Sequence, residues 1–150
     1  MNGYRLKFSF TKKFEPKEFQ KLTGICGIYF IFLKKTKLAY PFQSSRLIYI
    51  GMSEKKTNSI EKRLSDHFTG VSGNIGITNY LKVEELNFTY LNFEMLKNIW
   101  LYRIEDLESY FILDFVKHYG VYPVCNNKTG LEIQKKVMSL NFDIEWNYFD

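Results

Sequence analysis

The chain is short of cysteine and has no long apolar run, and each shortage removes a class of protein. Two cysteines in 150 residues, Cys26 and Cys125, allow one disulfide at most. A domain of this size, rich in aromatic residues, does not need one, so both are expected to be reduced thiols. No apolar run approaches the roughly 20 residues of a membrane-spanning helix. Residues 1–10 alternate polar with apolar side chains where a secretory signal would carry an apolar block. The expectation is a cytoplasmic protein with no membrane partner. Internal repeats, low-complexity tracts and interdomain linkers are missing too. What is present is core-forming material: 45% hydrophobic and 18% aromatic residues against 25% charged. That is too much for a disordered chain and the length suits a single domain.

Charge is unevenly placed. Residues 1–70 carry 14 Lys or Arg against 5 Asp or Glu, a net of +9, whereas residues 71–150 carry 7 against 11, a net of −4. A basic excess confined to one half, with a pI near 9.1, suits a phosphate-backbone partner, because each neutralised phosphate releases condensed counterions. The competing reading is a merely solvated basic surface.

Periodicity predicts an α+β domain. Alternation over 5–10 puts Leu6, Phe8 and Phe10 on one face of a strand. A short helix follows over 16–22. Residues 25–33 are apolar on both faces, as in a central strand, and 46–50 form a second such strand that pairs with the first as an antiparallel hairpin across a polar connection, 34–45. Asn58 and Glu61 resemble a capping box for a helix over 59–68, striped by Ile60, Leu64 and Phe68. A Gly/Asn loop over 70–76 leads to a helix over 77–86, a third strand over 88–93, central or at the edge, and a long helix over 99–119 that stops at Gly120. A further helix over 131–138 and an aromatic tail, Phe142, Trp146, Tyr148 and Phe149, folding back on the core complete the pattern.

Among polar residues Glu108 stands out. It shares a helix row with Ile104 and Ile112, so its carboxylate projects from an apolar face, where unpaired burial is costly. It reads either as a structural salt bridge to an Arg or Lys or as a divalent-metal ligand or general base. Glu105, Asp106 and Asp114 read as solvated. Arg63 and His67, one helical turn apart, point together from the border of a buried stripe and suit a phosphate, Arg through its fork of donors and His through proton exchange near neutral pH. Their plain alternative is a surface Arg and a boundary His. Tyr29 and Tyr49 lie on the two long strands near Gly27 and Gly51, and glycine within a strand marks close approach to the backbone.

Gly27-Ile28-Tyr29 and Tyr49-Ile50-Gly51 resemble the two elements that name the GIY-YIG nuclease superfamily. The likeness continues through Arg63-Leu64-Ser65-Asp66-His67-Phe68-Thr69-Gly70, matching R-L-x-x-H-x-x-G, and Leu107-Glu108-Ser109-Tyr110-Phe111-Ile112, matching L-E-x-x-[LF]-I. It ends at Pro123-Val124-Cys125-Asn126, matching P-x-x-N. Each pattern is weak alone, but the ordered set over 27–126 is specific. The two tyrosines stand farther apart than the family norm, which implies an insertion over 34–45. The longer interval from Glu108 leaves Asn127 as a rival to Asn126.

The resemblance implies a single domain over 1–150, with a core near 24–128 and extensions 1–23 and 129–150. Its fold would be a small central antiparallel sheet of three core strands, with room for an added edge strand, flanked by helices. It implies a DNA endonuclease with one Mg²⁺ or Mn²⁺ held by Glu108, Arg63 stabilising charge on phosphorus, and a tyrosine, Tyr29 or Tyr49, taking a proton from water with its pKa lowered by nearby cations. His67 would assist that tyrosine or touch phosphate, Asn126 would fix the site's geometry, and Lys55 and Lys56 would reach DNA phosphate. The alternative is a nucleic-acid-binding module of the same fold without catalysis. A protein-partner role would rest on the aromatic tail alone.

Overall fold

The computed structural model describes residues 4–126 and 142–150. In chain order the elements are β1 (Tyr4–Leu6), β2 (Lys12–Lys13), α1 (Pro16–Phe19) continued by a 3-10 turn over Gln20–Leu22, β3 (Gly27–Leu33), β4 (Leu38–Ala39), β5 (Ser44–Ser45), β6 (Leu47–Ser53), α2 (Ile60–Thr69) and α3 (Ile75–Leu81). Then come β7 (Leu86–Asn92), a 3-10 turn over Phe93–Leu96, α4 (Ile104–Tyr119), β8 (Phe142–Ile144) and a last 3-10 turn over Trp146–Phe149. The fold is α+β. Its central sheet is antiparallel in the order β2-β7-β3-β6, three long strands with β2 added outside β7.

Every residue of β3 is buried, and the two-residue period of a strand divides its side chains between two layers. Ile28, Phe30 and Phe32 pack towards α4 with Phe111, Phe115, Trp146 and Phe149. Tyr29, Ile31 and Leu33 face the opposite way, among Phe14, Phe19, Ile60, Leu64, Ile77 and Phe88. The expected hairpin forms, with Tyr29 opposite Gly51 and Ile31 opposite Tyr49. Both tyrosines therefore share the face on which α2 lies.

Several boundaries differ from those expected, each for a local reason. The first strand stops at Leu6. Phe8 is still buried, but the backbone turns to φ 65° at Phe10 and leaves that ring 73% exposed, which ends the alternation. Asn58 does not cap α2: Ser59 holds the N-cap position without a side-chain bond. The Asn58 backbone is already engaged, its N–H donating to Lys55 O and its carbonyl accepting from Ser53 Oγ at 2.5 Å. Asn74, whose Oδ1 accepts from Ile77 N at 3.1 Å, starts α3 earlier than expected, and Leu86 belongs to β7 opposite Leu33. The long helix begins at Ile104 rather than 99, because the backbone before it folds back at Trp100, whose Nε1 donates to Arg103 O at 2.9 Å.

The second long strand, β6, is at the sheet's edge rather than inside it. Its outer backbone groups are satisfied by a distant segment: Cys125 N donates to Ile48 O at 2.8 Å, and the Asn126 amide both accepts from Ile50 N at 3.0 Å and donates to Ile50 O at 2.9 Å. A strand edge covered in this way needs no water, so β6 reads as apolar despite its position. The segment 34–45 supports that cover. Its Tyr40 hydroxyl donates to Leu47 O at 2.7 Å and accepts from Val124 N at 3.0 Å, and Phe42 N and Gln43 Nε2 donate to the last carbonyls of α4.

The tail folds back as expected: Phe142, Trp146 and Phe149 are buried, and β8 pairs with β1 in parallel. With its aromatics in the core, the protein-partner reading loses its basis. Asp114 is not merely solvated, since Trp146 Nε1 donates to its Oδ2 at 2.7 Å. Both cysteines are free thiols. The helix expected over 131–138 and the alternative Asn127 lie outside the described residues, and no described helix is long and apolar enough to cross a membrane.

Candidate active site

A cleft of about 620 Å³ opens between β6, α2, the loop before α3, α4 and the segment ending at Asn126. Tyr49, Arg63, His67, Glu108 and Asn126 all line it. These five come from four separate segments of the chain, from position 49 to position 126. Their convergence is a product of the fold. Arg63 and His67 reach the cleft from one face of α2 because they stand four residues apart, and Glu108 reaches it from α4 with Ile112 beside it.

Tyr29 is not in the cleft wall. It lies behind it, fully buried, and its hydroxyl meets His67 Nε2 at 3.0 Å. The ring passes directly over Gly51: a side chain at Gly51 would put its Cβ 2.5 Å from the Tyr29 hydroxyl oxygen, closer still to the ring carbon that bears it and 2.7 Å from the next ring carbon. Gly27 is equally constrained, because a side chain there would overlap the Leu91 carbonyl. The close approach expected at both glycines is thus real. Gly51→Ala should destabilise the protein by about 3 kcal/mol, near the upper range for overpacking, since a fully buried ring has no room to retreat. The midpoint of urea unfolding measures this, and an unchanged midpoint would mean that the ring can move.

His67 is buried and hydrogen-bonded at both nitrogens, Nε2 to Tyr29 and Nδ1 to Ser72 Oγ at 2.8 Å. Burial first and the Arg63 charge second lower its pKa to about 4. Proton exchange near neutral pH, the expectation from sequence, therefore does not hold for the protein alone; His67 is a neutral link between Tyr29 and Ser72. This has a consequence for stability. Between pH 6.5 and about 4 the unfolded chain protonates His67 while the folded chain does not, so stability falls as pH falls through that window, by up to about 3 kcal/mol. Unfolding titrations at pH 7, 6 and 5 should show the decline, and His67→Gln should flatten it; an identical slope in the variant would assign the decline to other groups.

The tyrosines also depart from expectation. Desolvation pushes the Tyr29 phenol well above its ordinary value, with the neighbouring Tyr49 adding to it and Arg63 opposing. Tyr49 is raised for the same reason, then by the Glu108 charge, with Arg63 again opposing. Neither phenol is acidified in the protein alone, because burial outweighs the single nearby cation. The pKa of Arg63, half-buried, is raised from its ordinary value, chiefly through Tyr29 and against the effect of burial, with further contributions from Tyr49 and Glu108. An arginine, two phenols and a carboxylate thus interact electrostatically at one end of the cleft.

Lys55 and Lys56 do not join this group. They are exposed on the turn after β6, where Lys55 bridges to Asn58, and neither lines the cleft. Residues that the sequence did not single out do: Asp66, Ser72 and Asn74 are part of its lining. Asn74 Nδ2 donates to Cys125 O at 3.0 Å, tying the α2–α3 loop to the Asn126 segment across the cleft. A signal for Asn74 existed, since an Asn before an apolar run is a common N-cap, but the surrounding glycines obscured it.

Among the described residues no three His, Cys, Asp or Glu side chains converge on one point. Two carboxylates line the cleft, Glu108 and Asp66, and Asp66 is paired with Lys62, whose Nζ lies 2.7 Å from its Oδ1. Comparison with protein-family models, with curated proteins and with solved structures finds no match for this chain.

Proposed function

We propose that the protein is a metal-dependent DNA endonuclease that hydrolyses phosphodiester bonds in this cleft. The observation that carries the reading is the meeting of Tyr49, Arg63, His67, Glu108 and Asn126 in one cleft, backed by Tyr29. These are the residues that the resemblance to GIY-YIG nucleases selects from sequence order alone. A structural arginine or a casual boundary histidine would have no reason to share a cleft with the others.

A carboxylate on the wall of an open cleft fits a hard cation such as Mg²⁺ or Mn²⁺, which keeps most of its own water and needs few protein ligands. Glu108 would hold it. Once bound, such a cation supplies charge stabilisation at the scissile phosphate and its leaving oxygen. The remaining work falls to the chain. Arg63 is permanently charged and offers a planar fork to two phosphate oxygens, so it meets negative charge that grows on phosphorus. Tyr49, the tyrosine open to the cleft, keeps its own proton in the protein alone and orients the attacking water through its hydroxyl. Tyr29 and neutral His67 form the rigid floor against which Arg63 rests. Asn126 acts one step back, clamping the Ile50 backbone next to Tyr49 and so fixing that strand.

The DNA partner draws further support from the net +9 of residues 1–70. Incubating the purified protein with supercoiled, linear and branched DNA, with and without Mg²⁺ or Mn²⁺, tests the activity. Its companion is affinity for a duplex in EDTA across a salt series, which should fall steeply as salt rises. Binding without cleavage in either metal would leave a binding module, and no binding would remove DNA as the partner.

A further inference from the structure

Phe10 is the only non-glycine residue with a positive φ among the described residues, at 65°. The left-handed region is unfavourable for a bulky side chain, and Gly or Asn would take it more easily. Such strain persists when the flanks are over-determined, and here they are. On one side Phe8 is buried against Phe30, with ring centroids 4.7 Å apart, and Ser9 O accepts from Thr89 Oγ at 2.9 Å. On the other, Thr11 Oγ and the Tyr148 hydroxyl share a hydrogen bond of 2.6 Å, and Lys12 pairs with Phe88 in the sheet. The fold anchors everything around Phe10 and turns its ring outwards, 73% exposed.

Neither the backbone nor packing accounts for a phenylalanine at this position. Glycine would suit the backbone better, and the ring contributes little to the core. Lys12 Nζ lies 5.9 Å from the ring centroid, within cation–π range, and has no carboxylate partner among the described residues. An exposed aromatic ring on an anchored backbone beside a lysine without a carboxylate partner among the described residues, in the basic half of the chain, is the combination that single-stranded nucleic acid uses: a base stacks on the ring while the cation meets its phosphate.

We propose that Phe10 is a stacking platform for an unpaired base of the DNA, with Lys12 contacting the adjoining phosphate. The site lies outside the cleft and sits at the opposite edge of the sheet from β6. It rests on the reading of DNA as the partner and adds that the substrate carries a single-stranded stretch, held across the sheet from the bond that is cut.

The test is binding in EDTA of a labelled single-stranded oligonucleotide and of a duplex of equal length, by wild type, Phe10→Gly and Phe10→Trp. Phe10→Gly relieves the strain and removes the ring, so it should melt at or above the wild-type temperature yet bind the single strand about tenfold more weakly. Its duplex affinity and salt dependence should be unchanged, because the lysines remain. Phe10→Trp should bind as wild type does, with the introduced indole quenched by the oligonucleotide. Wild-type affinity of Phe10→Gly for the single strand would overturn the proposal. So would an indole indifferent to oligonucleotide but blue-shifted by anionic vesicles, which would mark a lipid surface instead. If Phe10→Gly binds normally while wild type still cleaves DNA, the platform alone is wrong; if wild type binds neither DNA, the nuclease reading falls with it.

Discussion

Arg63→Ala is expected to lower the single-turnover rate of DNA cleavage by roughly 10²–10³-fold at saturating protein, the usual effect of removing one donor aimed at developing charge. DNA affinity should fall only modestly. The two effects separate because only interactions that strengthen in the transition state accelerate the chemical step. Arg63 is suited to that role by its setting. It is half-buried at the cleft wall, permanently charged, and braced by a floor in which Tyr29 is wedged against Gly51 and bonded to His67. Arg63→Lys should restore only part of the rate: an ammonium keeps the charge but loses the fork that engages two oxygens at once. If Arg63 merely positioned the DNA backbone, Arg63→Ala would weaken binding and leave the saturated rate almost unchanged.

Glu108→Gln is expected to abolish metal-dependent cleavage, bringing it down to the rate seen in EDTA, while the protein stays folded and binds DNA. The substitution keeps shape and removes the negative charge that a hard cation requires. The rest of α4 gives no cause for unfolding, since its buried face is carried by Ile104, Leu107, Phe111 and Phe115. Loss of the carboxylate also removes one contribution that raises the Tyr49 phenol, so any loss of activity cannot be traced to a more tightly held tyrosine proton. Cleavage near the wild-type rate would take Glu108 out of the metal site and leave it as a charge partner of the neighbouring cation.

Much of this arrangement was legible in the sequence, and the exceptions follow a physical pattern. The strands β3 and β6 were legible because their side chains are buried on both faces, and the helices α2 and α4 because their apolar stripes repeat at helical spacing. Glu108 was legible because a carboxylate in an apolar row is conspicuous. Features set by contacts between distant segments were hidden. That β6 is an edge strand depends on Cys125 and Asn126, more than 70 positions away, and nothing in residues 47–53 announces it. The pKa of His67 depends on how deeply α2 sits on Tyr29 and Tyr49, which periodicity does not measure. Ser72 and Asn74 entered the cleft unannounced from a glycine-rich loop without any period. The segment 34–45 was visible only as a polar connection; its work, bracing α4 and Val124 through Tyr40 and Phe42, needed the fold. Phe10 misled most directly, because its alternation with Leu6 and Phe8 is a sound strand pattern that a single backbone turn overrides.

Conversion of supercoiled DNA by the purified wild-type protein and by Glu108→Gln, each in Mg²⁺ or Mn²⁺ and each in EDTA, tests the central claim most directly. Nicked or linear product from wild type with either metal, none in EDTA and none from the variant under any condition is the predicted result. Product that forms equally in EDTA, or equally from the variant, would contradict the account, as would intact DNA in every reaction of a folded, DNA-binding wild type.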